Sequence, residues 1–320
     1  MQPTSTPPAD RIRLWAAGTV FAVGFSLAIA LPITSREAYS FVHFVRPPVR
    51  DLLGAFDPAD HILNTLLMKR AVGLLRLSAF SLRVPDLLGL ALFLWAVVRL
   101  AARAGRWGSA LLVAAGLCYL ALEYTTAASA AGLALALWIC GIERTISYLK
   151  GNQADGVRNL NLAGLCLGLS VAAHPCFLVP GLLVASALLL ATRRFWPWME
   201  RVLITATVSA FLFLVLPFSH ASAGQLVKLI APPRLEITRT PEDLAGLVAV
   251  LRRETRGKTV RIAADAALVP VLEFYQSRYR VGGWSIVEFP SNADYIVIDT
   301  RAAPVTRRVL YRGRAVVLAR

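Results

Sequence analysis

The feature that most constrains this chain is a series of long apolar runs. We predict seven membrane-spanning helices, at residues 14–31, 87–98, 110–122, 127–142, 160–173, 177–191 and 202–218. Such runs are typical of helices that cross a bilayer, because backbone polar groups in a hydrocarbon core must be satisfied internally. Hydrophobic residues make up 57% of the chain and its mean hydropathy is +0.59, above the values of ordinary soluble domains. The sequence therefore predicts a multi-pass α-helical membrane protein.

The charges in the short loops predict an orientation. Lys and Arg are concentrated before the first run and after the second, fourth and sixth, whereas the turns 123–126 and 174–176 contain neither. The positive-inside rule then places the N-terminal tail, residues 1–13, in the cytoplasm. With seven spans in a cytoplasmic (inner) membrane, the C-terminal end lies on the extracytoplasmic side. A cleavable signal peptide is the alternative for the first run, but the run is long and further spans follow it.

Two longer segments lie outside the spans of the transmembrane domain, residues 14–218. One is an outer loop at residues 34–83, and the other is the tail at residues 219–320. The tail alternates helical patterns with β-branched runs such as "TVRIAAD", "WSIVEF" and "ADYIVIDT", which predicts a small extracytoplasmic α/β domain. It has no Gly-rich phosphate loop.

The formal net charge of +15 does not by itself indicate nucleic-acid binding. Much of this charge consists of loop arginines that act as topology signals and suit anionic lipid. The tail has 16 Lys and Arg against nine Asp and Glu. This excess suits an anionic glycan or lipid headgroups, and an ordinary solvated surface explains it equally well.

The outer loop contains the segment "FDPADHILNTLLMKR", in which apolar residues recur at helical spacing from Ile62. This pattern predicts a helix that lies in the membrane interface. Asp60 and His61 offer an oxygen and a nitrogen ligand at its start, suitable for a divalent cation such as Mg²⁺ or Mn²⁺ or for a metal-bridged phosphate. The alternative is a helix N-terminus with Asp60 as its cap and His61 in solvent.

Further titratable residues fall at the same predicted membrane face. Glu37 follows the first span, Glu123 ends the third, His174 ends the fifth and His220 follows the seventh. Ionisable groups near a membrane are costly and tend to mark function. An enzyme that acts on a lipid-linked substrate needs such a cluster, because a carboxylate can act as general base on an acceptor hydroxyl.

Three motifs in order, "REAYSF", "FDPADHILNTLLMKRAVGLL" and "SAFSLRVPDLLGLALF", resemble GT-C-type membrane glycosyltransferases of the protein-mannosyltransferase and aminoarabinose-transferase branch. The resemblance covers residues 36–93 and implies a GT-C-like core with interfacial helices in the first outer loop. It implies a polyprenyl-phosphate-linked sugar donor and a glycan or lipid acceptor, and it gives Glu37 the role of catalytic base. Asp60 and His61 would lie near the metal or phosphate, and the other substrate-binding candidates are Lys69, Arg83, Glu123 and His174.

Two departures from this branch keep other functions open. Arg36 stands where many relatives carry a second acid, and relatives have more spans before the outer domain. A non-catalytic membrane component of a polysaccharide or glycoconjugate assembly complex is therefore the main alternative. A transporter or flippase is a weaker one, since no pair of broken helices occupies matching halves of the chain.

Overall fold

The computed structural model describes residues 8–54, 62–103, 107–125, 130–150, 156–181, 183, 204, 244–289, 293–299, 308–312 and 316–319. The N-terminal part is helical and the C-terminal part contains a sheet. The helices before the sheet are α1 (Pro8–Ala30), α2 (Ser35–Ser40), a π-helix (Phe41–Val45), α3 (Val49–Gly54), α4 (Ile62–Leu75), α5 (Ala79–Arg103), α6 (Gly108–Thr125), α7 (Ala131–Lys150), α8 (Gly156–Ala173) and a 3₁₀ turn (Pro175–Phe177).

Four described helices are long and apolar enough to cross a membrane: Asp10–Ala30, Ala79–Arg103, Ala131–Leu149 and Gly156–Ala173. They match the first, second, fourth and fifth predicted spans. The third predicted span corresponds to a shorter apolar stretch, Gly108–Ala121. Most of the sixth predicted span and nearly all of the seventh lie outside the described residues.

Helix α5 begins eight residues before the predicted second span. Proline often marks a helix start, because it lacks a backbone N–H. Instead Pro85 lies inside the helix, and the start is set by Ser78 and Ser81. The backbone N–H of each serine donates to the hydroxyl of the other, both at 3.0 Å, which satisfies two amides at the helix end.

The helices α1, α5, α6 and α7 share one apolar core. Helix α5 packs against α1, α6 and α7, and α7 packs against α8. Small residues allow close approach: a Cβ at Gly89 would lie 3.1 Å from the Cα of Leu133 on α7. Close packing through small residues is typical of helix pairs within membranes. The buried core residues include Leu90, Phe93, Leu94, Leu112 and Tyr119.

The C-terminal part is a small α/β unit. Its elements are α9 (Leu244–Glu254), β1 (Val260–Ala264), α10 (Val269–Tyr279), β2 (Trp284–Glu288), β3 (Tyr295–Asp299), β4 (Val309–Arg312) and β5 (Val316–Ala319). The five-stranded sheet has the order β2-β1-β3-β5-β4. Strand β1 pairs in parallel with β2 and β3, whereas β5 pairs antiparallel with β3 and β4. The predicted strand–helix–strand order thus forms the parallel half.

The α/β unit is joined to the segment between α1 and α5 by a continuous apolar core. Helix α10 packs against α2 and the π-helix. The rings of Phe41 and Phe274 meet edge to face, with centroids 5.6 Å apart, and both residues belong to one buried cluster that also includes Ile33 and Leu82. The loop that carries Glu37 is therefore held between the membrane helices and the α/β unit.

Candidate functional site

Glu37 lies in the first turn of α2, where its local role is to cap the helix. The Glu37 amide donates to Thr34 Oγ1 at 3.1 Å, and the Thr34 amide donates to Glu37 Oε2 at 2.7 Å. This reciprocal pair is a capping box, which satisfies amides that a helix N-terminus leaves without partners. The sequence "TSRE" encodes it locally.

Arg83 reaches the same carboxylate from α5. Its Nε donates to Glu37 Oε1 at 2.5 Å and its Nη2 donates to Oε2 at 2.8 Å. Only 4% of each residue is exposed, so this is a buried, bidentate ion pair. Arginine suits such a site because its planar fork matches a carboxylate.

The same guanidinium also closes the C-terminal end of α1. Nη1 donates to the carbonyls of Ala28 at 3.1 Å and Leu31 at 2.8 Å, and Nη2 donates to Pro32 at 2.7 Å. A helix ends with carbonyls that have no partner within the helix, and α1 has no basic residue in its last turn. With the two bonds to Glu37, all five N–H groups of Arg83 have an acceptor. One side chain thus joins α1, α2 and α5.

His174 lies within electrostatic range of Arg36, the residue that precedes Glu37. His174 is 5% exposed and its Nδ1 accepts from the Cys176 amide at 3.3 Å, so it caps the 3₁₀ turn. Burial, together with the positive charge of Arg36, lowers the pKa of His174 to about 4. His174 is therefore neutral near pH 7, and Arg36 lies close enough to affect it.

Lys69, the second predicted phosphate contact, binds backbone oxygens. Its ammonium group donates to the Val45 carbonyl at 2.8 Å and also to the carbonyl of Pro47. Val45 is the last residue of the π-helix and Pro47 follows it, so Lys69 anchors the end of that segment to α4. A role in binding a substrate phosphate stays a prediction for both Lys69 and Arg83.

The predicted metal ligands cannot be placed. Asp60 and His61 lie outside the described residues, as does His220, and of Glu123 only its backbone position in the last turns of α6 is described. The distance between Glu37 and His61, which would test a shared cavity, therefore stays open. Within the described ranges no group of three or more His, Cys, Asp or Glu could hold a metal ion. The divalent cation remains a prediction.

Asn64 marks a buried polar position at the start of α4. It is 2% exposed, and its Oδ1 has no hydrogen-bond partner among the described residues. A buried carbonyl oxygen without a partner costs free energy unless water or a ligand group reaches it. Asn64 is buried in the first turn of α4, three residues after His61 in the chain.

A second buried carboxylate, Glu143, was not singled out by the sequence. It is fully buried on α7, and its Oε1 lies 2.8 Å from Arg99 Nε and 3.3 Å from Arg103 Nη2 on α5, while Arg144 Nε lies 3.6 Å from Oε2. The Ser147 hydroxyl also donates to Oε1, at 2.7 Å. The signal in the sequence was the spacing of Arg99 and Arg103, which are four residues apart and so share a helix face.

Comparison with known proteins does not assign this chain to a family. No protein-family model matches the chain, and no curated protein or solved structure is significantly similar to it.

Proposed function

We propose that this chain is a membrane component of the machinery that builds a polysaccharide or glycoconjugate at the outer face of a cytoplasmic membrane, and that Glu37 supports its architecture rather than the chemistry. The proposal includes the predicted seven spans, a GT-C-like core and a cytoplasmic N-terminus. The part of the proposal that concerns a polysaccharide or glycoconjugate rests on the resemblance of residues 36–93 to GT-C-type enzymes. The four candidate spans support the membrane setting.

The observation that carries this choice is the buried ion pair between Glu37 and Arg83. A general base must come within hydrogen-bond distance of the proton that it removes. Three of the roughly four lone-pair positions of a carboxylate are occupied in Glu37, by two N–H groups of Arg83 and by the Thr34 amide. A carboxylate held in this way has little access to an acceptor hydroxyl.

Glycosyl transfer by the chain itself is the second candidate. It is favoured by the convergence of charged and polar groups at one end of the helices, where Glu37 contacts Arg83 and Arg36 lies close to His174. In this form a polyprenyl-phosphate-linked sugar would be the donor and a glycan or lipid the acceptor. Glu37 would act as general base after leaving Arg83, with Asp60 and His61 near the metal or phosphate.

The substitution Glu37→Gln separates the two candidates. Cells that carry the variant as their only copy are analysed for two quantities: the amount of folded protein, by fluorescence-detected size-exclusion chromatography, and the cell-envelope glycoconjugates, by mass spectrometry. If Glu37 is architectural, the amount of folded protein falls and the glycoconjugate made per folded molecule stays the same. If Glu37 is the base, the glycoconjugate per folded molecule falls by roughly 10²-fold or more.

Asp51→Asn is the matched control. It makes the same change from acid to amide in the same loop, but the Asp51 side chain is 53% exposed and contacts only the neighbouring Arg50, at 3.7 Å, among the ion pairs of the described residues. We expect this variant to resemble the unaltered protein in both quantities. A deficit in glycoconjugate per folded molecule that is specific to Glu37→Gln would overturn the architectural proposal and establish the enzyme.

A further inference from the structure

The α/β unit contains a basic cleft, a cavity of about 830 Å³ at the edge of the sheet where β1 and β2 begin. It lies between two neighbouring helix-to-strand connections, residues 255–259 after α9 and 280–283 after α10. These connections are adjacent because Val260 of β1 pairs with Trp284 of β2. The charged residues that line the cleft are Arg252, Arg253, Arg256, Lys258 and Arg280, and no Asp or Glu is among its described lining residues.

The positive charge of the cleft exceeds what the fold itself requires. The C-terminal ends of α9 and α10 point toward it, and each carries a partial charge of about −0.5 from its backbone carbonyls. Cations near helix C-termini are ordinary, and about one positive charge would balance both ends. Five cations line the cleft, which leaves a surplus of about four. Such a surplus in a concave site raises the local concentration of anions.

The floor of the cleft is rigidly built. The indole N–H of Trp284 donates to Thr255 Oγ1 at 2.8 Å, and Gln276 Nε2 donates to the Trp284 carbonyl at 2.6 Å. Thr255 and Trp284 are 2% and 5% exposed. Gly283 approaches the Lys258 carbonyl so closely that a Cβ at this position would collide with it. These contacts fix the two connections relative to each other.

One arginine is also held in place. The guanidinium of Arg252 lies 4.8 Å from the centre of the Tyr279 ring, and Tyr279 in turn stacks on Tyr275, with centroids 5.9 Å apart. Arg252 on α9 is thereby tied to α10 across the cleft. An arginine that is already positioned loses less side-chain entropy when it binds an anion.

We propose that the basic cleft is a binding site for phosphate esters, and that it takes two phosphate groups at once. Four of its five cations are arginines, whose planar forks bind phosphate oxygens in bidentate fashion. A single phosphate monoester with a charge of about −1.5 to −2 would leave much of the surplus unbalanced, whereas two phosphate monoester groups held side by side carry about −3 to −4 together and would nearly neutralise it. This inference does not depend on the role of Glu37.

The test measures the binding of inorganic pyrophosphate to the full chain in nanodiscs of phosphatidylcholine, by isothermal titration calorimetry at a fixed salt concentration. The variant Arg253→Gln/Arg256→Gln removes two exposed cations of the cleft. The control Arg308→Gln/Arg312→Gln removes the same charge from β4 and its preceding residue, at the opposite edge of the sheet. We expect the cleft variant to bind pyrophosphate at least about 10-fold more weakly, and the control to bind like the unaltered chain.

The proposal would be overturned if the unaltered chain did not bind pyrophosphate at about 1 mM. It would also be overturned if both variants weakened pyrophosphate binding equally, because the loss would then follow the net charge of the chain and not the cleft. A second arm identifies the source of the phosphate. In nanodiscs that contain phosphatidylglycerol, loss of pyrophosphate binding indicates that lipid headgroups of the surrounding membrane fill the cleft. Unchanged binding indicates a phosphate-bearing ligand that arrives from outside the bilayer.

Discussion

Glu37 and Glu143 are both buried carboxylates bound by arginine, but they are held in different ways. Glu37 is bound by Arg83 alone among the ion pairs of the described residues, and every N–H of that arginine has an acceptor. Glu143 has three arginines within 4 Å, yet its Oε2 has no hydrogen-bond partner in the part of the chain that the structure describes. The first arrangement depends on one side chain, and the second on several that can replace one another.

The two sites differ because water reaches the arginines around Glu143 but hardly reaches Arg83. Arg83 is almost completely buried, so its charge must be balanced by protein groups in one fixed geometry. The side chains of Arg99, Arg103 and Arg144 are 45%, 27% and 22% exposed. Water can therefore hydrate the N–H groups of these arginines that do not bind Glu143. We therefore expect the Glu37 site to tolerate almost no substitution and the Glu143 site to tolerate several.

The largest effect is expected for Arg83→Met. This substitution leaves the Glu37 carboxylate buried without a cation and removes the donors from the end of α1. Breaking a buried pair by removing one partner costs about 3–5 kcal/mol, so the free energy of unfolding in detergent should fall by that amount. Arg70→Met, on the exposed side of α4, is the control and should change the free energy of unfolding by less than about 0.5 kcal/mol.

Exchanging the two charges sharpens this prediction. The double variant Glu37→Arg/Arg83→Glu keeps an ion pair but places a carboxylate against the carbonyls of Ala28, Leu31 and Pro32. We expect it to be at least as unstable as Arg83→Met. Recovery of thermal stability by the exchange would mean that the ion pair alone matters and that the carbonyl contacts do not.

Lowering the pH should destabilise the folded protein, because His174 is buried in its neutral form. The folded protein resists protonating this imidazole until about pH 4, whereas the unfolded chain binds the proton near pH 6.5. The unfolded state therefore binds more protons in this interval, and the free energy of unfolding falls as the pH decreases, by up to about 1.4 kcal/mol per pH unit.

His174→Asn provides the control for this pH effect. Asparagine retains an oxygen that can accept from the Cys176 amide, but it does not titrate. Stability measured between pH 4 and pH 7 should show a smaller slope in the variant. Identical slopes in both proteins would assign the pH dependence to other groups.

A smaller loss, about 1–2 kcal/mol, is expected for Glu143→Gln. The amide oxygen can still accept from Arg99 and Ser147, and the arginines that lose their counter-charge can turn toward water. Thermal unfolding of the purified protein tests the ranking. A loss as large as that of Arg83→Met would show that the Glu143 site is not redundant and would break the comparison.

The smallest effect is expected for Arg99→Gln. The Arg99 side chain is 45% exposed, and partly exposed ion pairs contribute about 1 kcal/mol or less. Arg103 remains within reach of the same carboxylate oxygen, so the measured loss in free energy of unfolding should stay below about 1 kcal/mol. A loss above about 2 kcal/mol would contradict the idea that these arginines can replace one another.

Much of the fold could be predicted from the sequence because hydropathy and periodicity are local signals. The apolar helices and the parallel half of the sheet follow from such patterns. The fourth strand, Val309–Arg312, was missed because four residues with one β-branched side chain carry little signal. The second span was placed at 87–98 by its apolar run, whereas α5 begins at Ala79, where Ser78 and Ser81 cap the helix.

The site was harder to predict because its contacts are not local. The sequence singled out Glu37 and Arg83 separately, but nothing in their spacing indicates that they bind each other. Glu143 was assigned to a loop because the apolar run ends at residue 142, whereas α7 continues to Lys150 and carries Glu143 into the interior. Tertiary pairing of charges depends on helix packing, which a single sequence does not encode in a readable pattern.

The contact between Glu37 and Arg83 also bears on how the chain is made. The acid precedes its arginine by 46 residues, so it leaves the ribosome, together with α1, well before α5 is complete. Until α5 is in place, the Glu37 carboxylate has no Arg83 to bind and has to stay in water, and the last carbonyls of α1 have to be hydrated. Docking of α5 is therefore the step at which the segment between α1 and α5 becomes fixed, and a chain stalled before this step would expose a charged, unpaired segment to quality-control proteases.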